Sequence, residues 1–324
     1  MEYIITSPLV YRQKALDEIN FDSYKELGES YTLGNFNNDE KKVLTDAKNS
    51  IFIHNIFPVH ISKENLDLCN LEKIIESVEE NMIKKSKSFA IETAAYRSDI
   101  HTRDLEVKLG ESLESIGYKA DLENPETIIY SFLQGKNLYL GVVDTDETIY
   151  RYLDNSKKFS RVEDRLNRAQ YKLVEAFDRF NIDIKDGIAM DIGAAPGGWT
   201  KELIDRGFKV YAIDPAKLDN SLKDNKNVVH IKDKIENVDI NYKNFDIIVN
   251  DMNCNPIRSA EIMVNTSKFL KKGGLAIMTA KLVSKNVDFF IDGVIHTANG
   301  VYDIKEIKHL QQNREEITFL FEHK

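Results

Sequence analysis

The sequence predicts an α/β chain in two parts: a seven-stranded, mostly parallel sheet covered by helices in the second half, preceded by a separate α+β unit. Three observations predict it. Short apolar runs follow one another from about residue 187, and helical patterns fall between them. A turn of small residues, Gly193-Ala-Ala-Pro-Gly-Gly198, joins the first of these runs to a helix. The first half has no such turn between strand and helix, and no cluster of residues with obvious chemistry.

Taken in order, residues 1–60 read as an N-terminal α+β segment without an evident chemical role. A second unit over 61–150 then contains a helix at Glu64–Lys85, a strand at Ser88–Ala95 and a helix at Asp104–Ile116. It ends in a strand pair, Glu126–Leu133 and Asn137–Val143, turned by Gly135-Lys136. The polar stretch around Asp154-Asn-Ser-Lys-Lys158 marks a boundary near 146–160, so the third unit spans 151–324. There Val162, Leu166, Ala169, Leu173, Phe177 and Phe180 recur at spacings of three and four, the buried stripe of an amphipathic helix, with Lys172 beside it. The strands that follow are Gly187–Ile192, Lys209–Ile213, Val228–Ile231, Asp246–Asn250, Leu275–Ala280, Tyr302–Leu310 and Glu316–Phe321.

Composition narrows the function. With 324 residues, 42% of them hydrophobic, the chain is long enough for two separate cores. Its two cysteines, Cys69 and Cys254, lack the spacing of a disulfide framework or a zinc site, which fits a reducing cytoplasm and no metal. The N-terminus lacks the pattern of a secretory signal, and no apolar run approaches the ~20 residues that span a bilayer. A net charge of −9 is the wrong sign for coating nucleic acid, so any such site is a local basic patch. The candidate runs from Arg151 to Lys172, with Lys157, Lys158, Arg161, Arg165 and Arg168 as RNA contacts. A solvated helix face accounts for the same charge pattern.

The turn itself is chemically specific. A strand ending in Asp191 enters glycines that let backbone amides approach a ligand, and Trp199-Thr-Lys-Glu-Leu begins a helix aimed at it. The spacing is neither that of a Walker loop nor GxGxxG. Asp214, ending the next strand about 20 residues past the glycines, stands where a ribose diol lies in dinucleotide folds. Asp233, after the third strand, is placed for an adenine amino group. A bare tight turn explains the glycines alone; strand, turn, helix, strand and terminal Asp together point to a ligand.

Asp191-Ile-Gly-Ala-Ala-Pro-Gly-Gly-Trp-Thr200 resembles the cofactor motif of FtsJ-type ribose 2′-O-methyltransferases, and is especially similar to RlmM-type enzymes of large-subunit ribosomal RNA. The similarity covers roughly 160–324, including Asn313-Arg-Glu-Glu-Ile-Thr318. It implies a Rossmann-like S-adenosylmethionine-dependent methyltransferase domain acting on a ribose 2′-hydroxyl of ribosomal RNA, at a cytidine in the family it resembles. The cofactor would be held by Asp191, Gly193, Ala194, Pro196, Gly197, Gly198, Trp199, Asp214, Asp233 and Asp251. The preceding region, from Phe89-Ala-Ile-Glu-Thr through Asn124-Pro-Glu-Thr to Tyr139-Leu-Gly141, looks like a THUMP domain, an RNA-binding module.

The FtsJ-type family carries a Lys-Asp-Lys-Glu tetrad, matched here by Lys172, Asp251, Lys281 and Glu316. Groups at the carboxyl ends of neighbouring parallel strands converge on one crevice, and Glu316 joins them if its strand is antiparallel. Only one of Glu315 and Glu316 can face that crevice. Lys281 is expected to contact the 2′-hydroxyl as base or as stabiliser of the alkoxide, its pKa lowered by Lys172 and desolvation. Asp251 would orient Lys281, and Glu316 would hold Lys172.

Rival readings are a transfer RNA 2′-O- or base methyltransferase, a non-catalytic RNA-binding or ribosome assembly factor, and a nicotinamide oxidoreductase. Asn250-Asp-Met-Asn-Cys-Asn-Pro256 lacks the paired prolines and aromatic residue of exocyclic-amine enzymes, and Cys254 lacks the Pro-Cys context of a cytosine-5 nucleophile. The Ala-Pro step inside the turn disfavours a dinucleotide site.

Overall fold

The computed structural model describes residues 1–37, 40–81, 87–153, 166–240, 244–282 and 286–324. The chain divides into two units, Met1–Asn155 and Ser156–Lys324.

The first unit holds two sheets. In the N-terminal one, β1 (Glu2–Thr6), α1 (Arg12–Asp17), β2 (Ser23–Glu26), β3 (Tyr31–Asn35), α2 (Glu40–Asn49) and β4 (Asn55–Pro58) give the antiparallel order β2-β3-β1-β4. Residues 1–60 are therefore an α+β element. The second is built from β5 (Ile61–Lys63), α3 (Glu72–Asn81), β6 (Ser88–Tyr96), α4 (Thr102–Ser115), β7 (Lys119–Ala120), β8 (Thr127–Gln134) and β9 (Asn137–Asp144), in the order β5-β9-β8-β6-β7. Leu105, Leu109 and Leu113 of α4 recur every four residues and pack against Ile129 and Leu133 of β8.

The helix expected over Glu64–Lys85 begins only at Glu72. Before it, Asn65 has φ +49°, the Asp67 carboxylate accepts from Cys69 N at 2.9 Å, and Leu66 N bonds to Lys136 O at 2.8 Å. These local and hairpin bonds satisfy the backbone in a turn instead of a helix. The end of the expected helix, 82–86, lies outside the described residues.

The second unit carries one sheet. Its elements are α5 (Arg168–Arg179), β10 (Ile188–Ile192), α6 (Gly198–Asp205), β11 (Lys209–Ile213), β12 (Val228–Ile231), β13 (Phe245–Asn250), α7 (Pro256–Thr266), β14 (Leu270–Lys281), α8 (Val287–Ala298), β15 (Tyr302–Lys308) and β16 (Glu316–His323). The order is β12-β11-β10-β13-β14-β16-β15, with β16 alone running antiparallel to its neighbours. All seven expected strands form. β14 starts earlier than expected, at Leu270, because Phe245 pairs with Leu270 before the register shifts and Ile247 pairs with Leu275. The strand order reverses between β10 and β13, which opens a crevice at the carboxyl ends of the parallel strands.

Both sheet faces are covered, so central strands are apolar throughout: Ile247, Ile248 and Val249 of β13 are all fully buried. On one face Leu173, Ala176 and Phe177 of α5 pack with Trp199 and Leu203 of α6 over Ala189, Val249 and Ile277. Asn167 caps α5 by accepting from Gln170 N at 3.3 Å. Of the expected apolar stripe, Val162 lies outside the described residues.

Candidate active site

The crevice is edged by the turn between β10 and α6. Gly193 and Gly197 have φ +74° and +117°, backbone conformations that only glycine adopts without strain. The Ala195–Pro196 peptide is cis. A Cβ on Gly193 would press on Met252, and one on Gly197 would overlap Leu222, so packing also keeps both positions small.

The small residues of this turn are expected to let backbone amides approach a ligand, but three of those amides are engaged within the fold. Gly193 N and Ala194 N donate to Ile213 O at 2.9 and 3.3 Å, and Ala195 N donates to Asp214 Oδ2 at 3.1 Å. These bonds fasten the turn to the end of β11. The turn then passes into α6, which begins at Gly198 with Gly197 as its cap. Pro196 has no N–H to offer and shapes the turn between them.

Asp191 is buried beneath the turn, with Thr200 Oγ1 donating to its Oδ2 at 2.6 Å. Burial pushes this carboxyl up to about 7, the Thr200 bond opposes the shift, and the charges of Asp251 and Asp214 add to it. Asp191 thus supports the turn from below. Trp199 is also buried, its Nε1 donating to Ala169 O at 2.8 Å, so the indole ties α6 to α5 rather than facing the crevice.

Asp214, half-buried, accepts from Ala195 N and, at 2.7 Å, from Ala216 N, which keeps the carboxylate at the mouth of the turn. Asp233 is exposed and held by its own 3-10 turn, accepting from Lys234 N at 2.7 Å and Asn237 Nδ2 at 2.9 Å. Those bonds lower its pKa, the Asn237 contact foremost.

Across the crevice the structure brings four charged side chains together. Lys281 Nζ lies 2.6 Å from Asp251 Oδ1 and 3.7 Å from Glu316 Oε2. Lys172 Nζ lies 3.4 Å from Asp251 Oδ2 and forms a close ion pair with Glu316 Oε1. Desolvation pulls the Lys172 ammonium down, but the charges of Asp251 and Glu316 and their hydrogen bonds outweigh it, so its pKa is raised. Lys172, expected to depress Lys281 by like charge, is itself neutralised by the two carboxylates. Between Glu315 and Glu316 the structure decides: Glu316 is buried on the crevice side, opposite Lys281 in the β14/β16 register, while Glu315 is exposed.

Two supporting residues escaped sequence reasoning. Buried Thr279 donates from Oγ1 to Asp251 Oδ1 at 2.5 Å, and Asn250 braces the loop after β13 through Ser259 Oγ at 3.0 Å and Met252 N at 3.0 Å. Thr279 stands two residues before Lys281, so strand periodicity places it on the same face. Cys254 is half-buried, and burial pushes its thiol up despite a bond to Ser259, the opposite of what an activated nucleophile needs.

Of the expected RNA contacts, Lys157, Lys158, Arg161 and Arg165 lie outside the described residues. Arg168 is exposed at the start of α5, with Nη2 donating to Gln312 O at 3.5 Å. Among the described residues no cluster of His, Cys, Asp and Glu suits a metal ion, and no helix is long and apolar enough to cross a membrane.

Residues 165–313 match the FtsJ-like methyltransferase family. The chain is 38% identical over 133 residues to an uncharacterized protein of Methanocaldococcus jannaschii, covering 40% of this chain and 37% of that one. It is 30% identical over 241 residues to ribosomal RNA large subunit methyltransferase M of a Shewanella species, covering 67% of this chain and 64% of that one. The chain thus spans less than two thirds of either relative. Among solved structures, TrmN from Thermus thermophilus aligns over 100% of both chains with 12% identity and a TM-score of 0.40, too loose a superposition to carry an argument.

Proposed function

We propose, from the premise that residues 165–313 form an FtsJ-like methyltransferase domain, that the chain transfers a methyl group from S-adenosylmethionine to a ribose 2′-hydroxyl of RNA. The observation that carries this reading is the Lys281–Asp251 contact of 2.6 Å, with Glu316 and Lys172 completing the set beside the glycine turn. Exocyclic-amine and cytosine-5 methyltransferases need a paired-proline aromatic motif or an activated thiol; residues 250–256 lack that motif and burial pushes the Cys254 thiol up, whereas the crevice presents two ammonium groups and two carboxylates.

The residues present fit the cofactor. The left-handed glycines 193 and 197 let the chain turn tightly beside it, the start of α6 offers amides, and Asp214 offers carboxylate oxygens to a ribose diol. Ala194 and Pro196 line the turn, Asp191 braces it and Asp233 is available to the adenine amino group. S-adenosylmethionine supplies an electrophilic methyl group when bound. Lys281 contacts the acceptor hydroxyl and acts on its proton, as base or as donor to the developing alkoxide. Asp251, fixed by Thr279 as well as by Lys281, orients that amine. Glu316 and Lys172 hold each other, so the charges balance before the acceptor arrives.

Ribosomal RNA is the proposed substrate, since the relative from Shewanella carries that name. The THUMP-like stretch within 61–150 and the basic segment containing Lys157, Lys158, Arg161, Arg165 and Arg168 supply RNA contacts, and the work is done in the cytoplasm. The deciding experiment maps ribose methylation across total RNA from cells with and without the chain. One missing 2′-O-methyl group identifies reaction and substrate together; an unchanged ribose map with a missing base methyl group overturns the reading.

A further inference from the structure

The turn leading into β16 has a deep anchor. Glu175 of α5, three residues after Lys172, is 2% exposed, and its two carboxylate oxygens accept from Gln311 N at 2.7 Å and Gln312 N at 2.8 Å. The turn is tied from its own side as well. Buried His309 donates from Nε2 to Arg314 O at 3.0 Å, and buried Asn313 donates from Nδ2 to Thr318 Oγ1 at 3.1 Å. Residues 168, 172 and 175 share one face of a helix. Through them α5 meets the turn at Gln312, the start of β16 at Glu316, and the turn again at Gln311 and Gln312.

A buried carboxylate costs free energy that an apolar contact would avoid. Two backbone N–H groups aimed at it return part of that cost, and together they fix the turn against α5 to within hydrogen-bond tolerance. Only three residues separate Gln312 from Glu316, so a shift of the turn moves the Glu316 carboxylate against Lys172. The adjacent strand pairing holds β16 from Glu316 onward, and one further bond, Leu282 N to Glu315 O at 2.7 Å, reaches the residue before it, so the turn at Gln311 and Gln312 takes its hold on α5 from Glu175.

We propose that Glu175 is a positioning residue of the methyl-transfer site, which holds Gln311 and Gln312 so that Glu316 stays in contact with Lys172. The claim rests on the reading of Lys172 and Glu316 as parts of that site. It explains why a buried acid stands on the face of α5 that it shares with Lys172.

The test uses the full chain with Glu175→Gln, Glu316→Gln and the double variant, and Glu175→Asp where the first does not fold. Methyl transfer to RNA should fall about 10-fold or more in kcat for Glu175→Gln, with cofactor Kd within about twofold of wild type. The double variant should be no slower than the Glu316→Gln single, because the two losses act through one contact. Losses that multiply, or an unchanged kcat, overturn the proposal. A second arm is independent of activity: crystal structures of wild type and Glu175→Gln should show Glu316 drawn away from Lys172. An unmoved pair refutes the positioning role whatever the reaction is. Transfer by the wild type to a base instead of a ribose refutes the proposed function and leaves this arm standing.

Discussion

Lys281 and Glu316 are register partners across the antiparallel β14/β16 pair, and their side chains approach to 3.7 Å on the crevice side. The neighbour Glu315 faces solvent and contributes only its carbonyl, which accepts from Leu282 N at 2.7 Å. Glu316→Gln should therefore reduce methyl transfer about 10-fold or more, while Glu315→Gln leaves it within about twofold. Single-turnover assays on the two variants check this, and equal losses would mean that the strand face has been misassigned.

Thr279 gives Asp251 a third donor, at 2.5 Å, beside Lys281 and Lys172. Thr279→Val keeps the shape and removes that donor, and should lower stability by about 1 kcal/mol. Its effect on transfer should appear in kcat rather than in cofactor affinity. Denaturant unfolding and a cofactor titration together check the claim; a weakened cofactor with unchanged kcat would contradict it.

Gly197 sits at φ +117° with Leu222 against the position its Cβ would take. Gly197→Ala should destabilise the chain by about 1–3 kcal/mol and weaken cofactor binding, because the start of α6 must move. Calorimetric titration with S-adenosylhomocysteine reads the second effect. Affinity equal to wild type would show that this end of the turn does not touch the cofactor.

Asp191 rises to about 7 from an ordinary 3.8 through burial. The folded chain therefore holds this proton more firmly than the unfolded chain between those values. Its contribution to stability is complete below the unfolded value and is lost as pH rises through about 7. Glu175, also pushed up to about 7 by burial, acts in the same direction. Asp191→Asn should flatten the fall in Tm between about pH 4 and about pH 7, without removing the part due to Glu175. Melting curves for wild type and variant that stay parallel across that range would exclude the mechanism.

Trp199 separates two meanings of a motif residue. Its place in Gly-Gly-Trp-Thr suggests cofactor contact, yet Nε1 donates to Ala169 O inside the core. Trp199→Phe should cost about 1 kcal/mol of stability and leave cofactor Kd within about twofold. A large loss of affinity at unchanged Tm would restore the cofactor role.

Much of the second unit was legible because local chemistry dictates it. Seven apolar runs bounded by turn residues became seven strands, and the positive φ at Gly193 and Gly197 follows from a turn too tight for a Cβ. The start of α3 was not legible, since the bond from Leu66 N to Lys136 O joins residues far apart in sequence and overrides helical periodicity. The same limit applies to the site. By itself the sequence determined the carboxyl ends of the parallel strands and the glycine turn, because each depends on residues within a few positions, and the four charged residues came from the resemblance to the FtsJ-type family. Tertiary structure alone decided which oxygen meets which amine, that Glu316 and not Glu315 faces the crevice, and that Thr279 and Glu175 support the set. Those facts depend on strand register and on packing between distant segments, which no short stretch of sequence encodes.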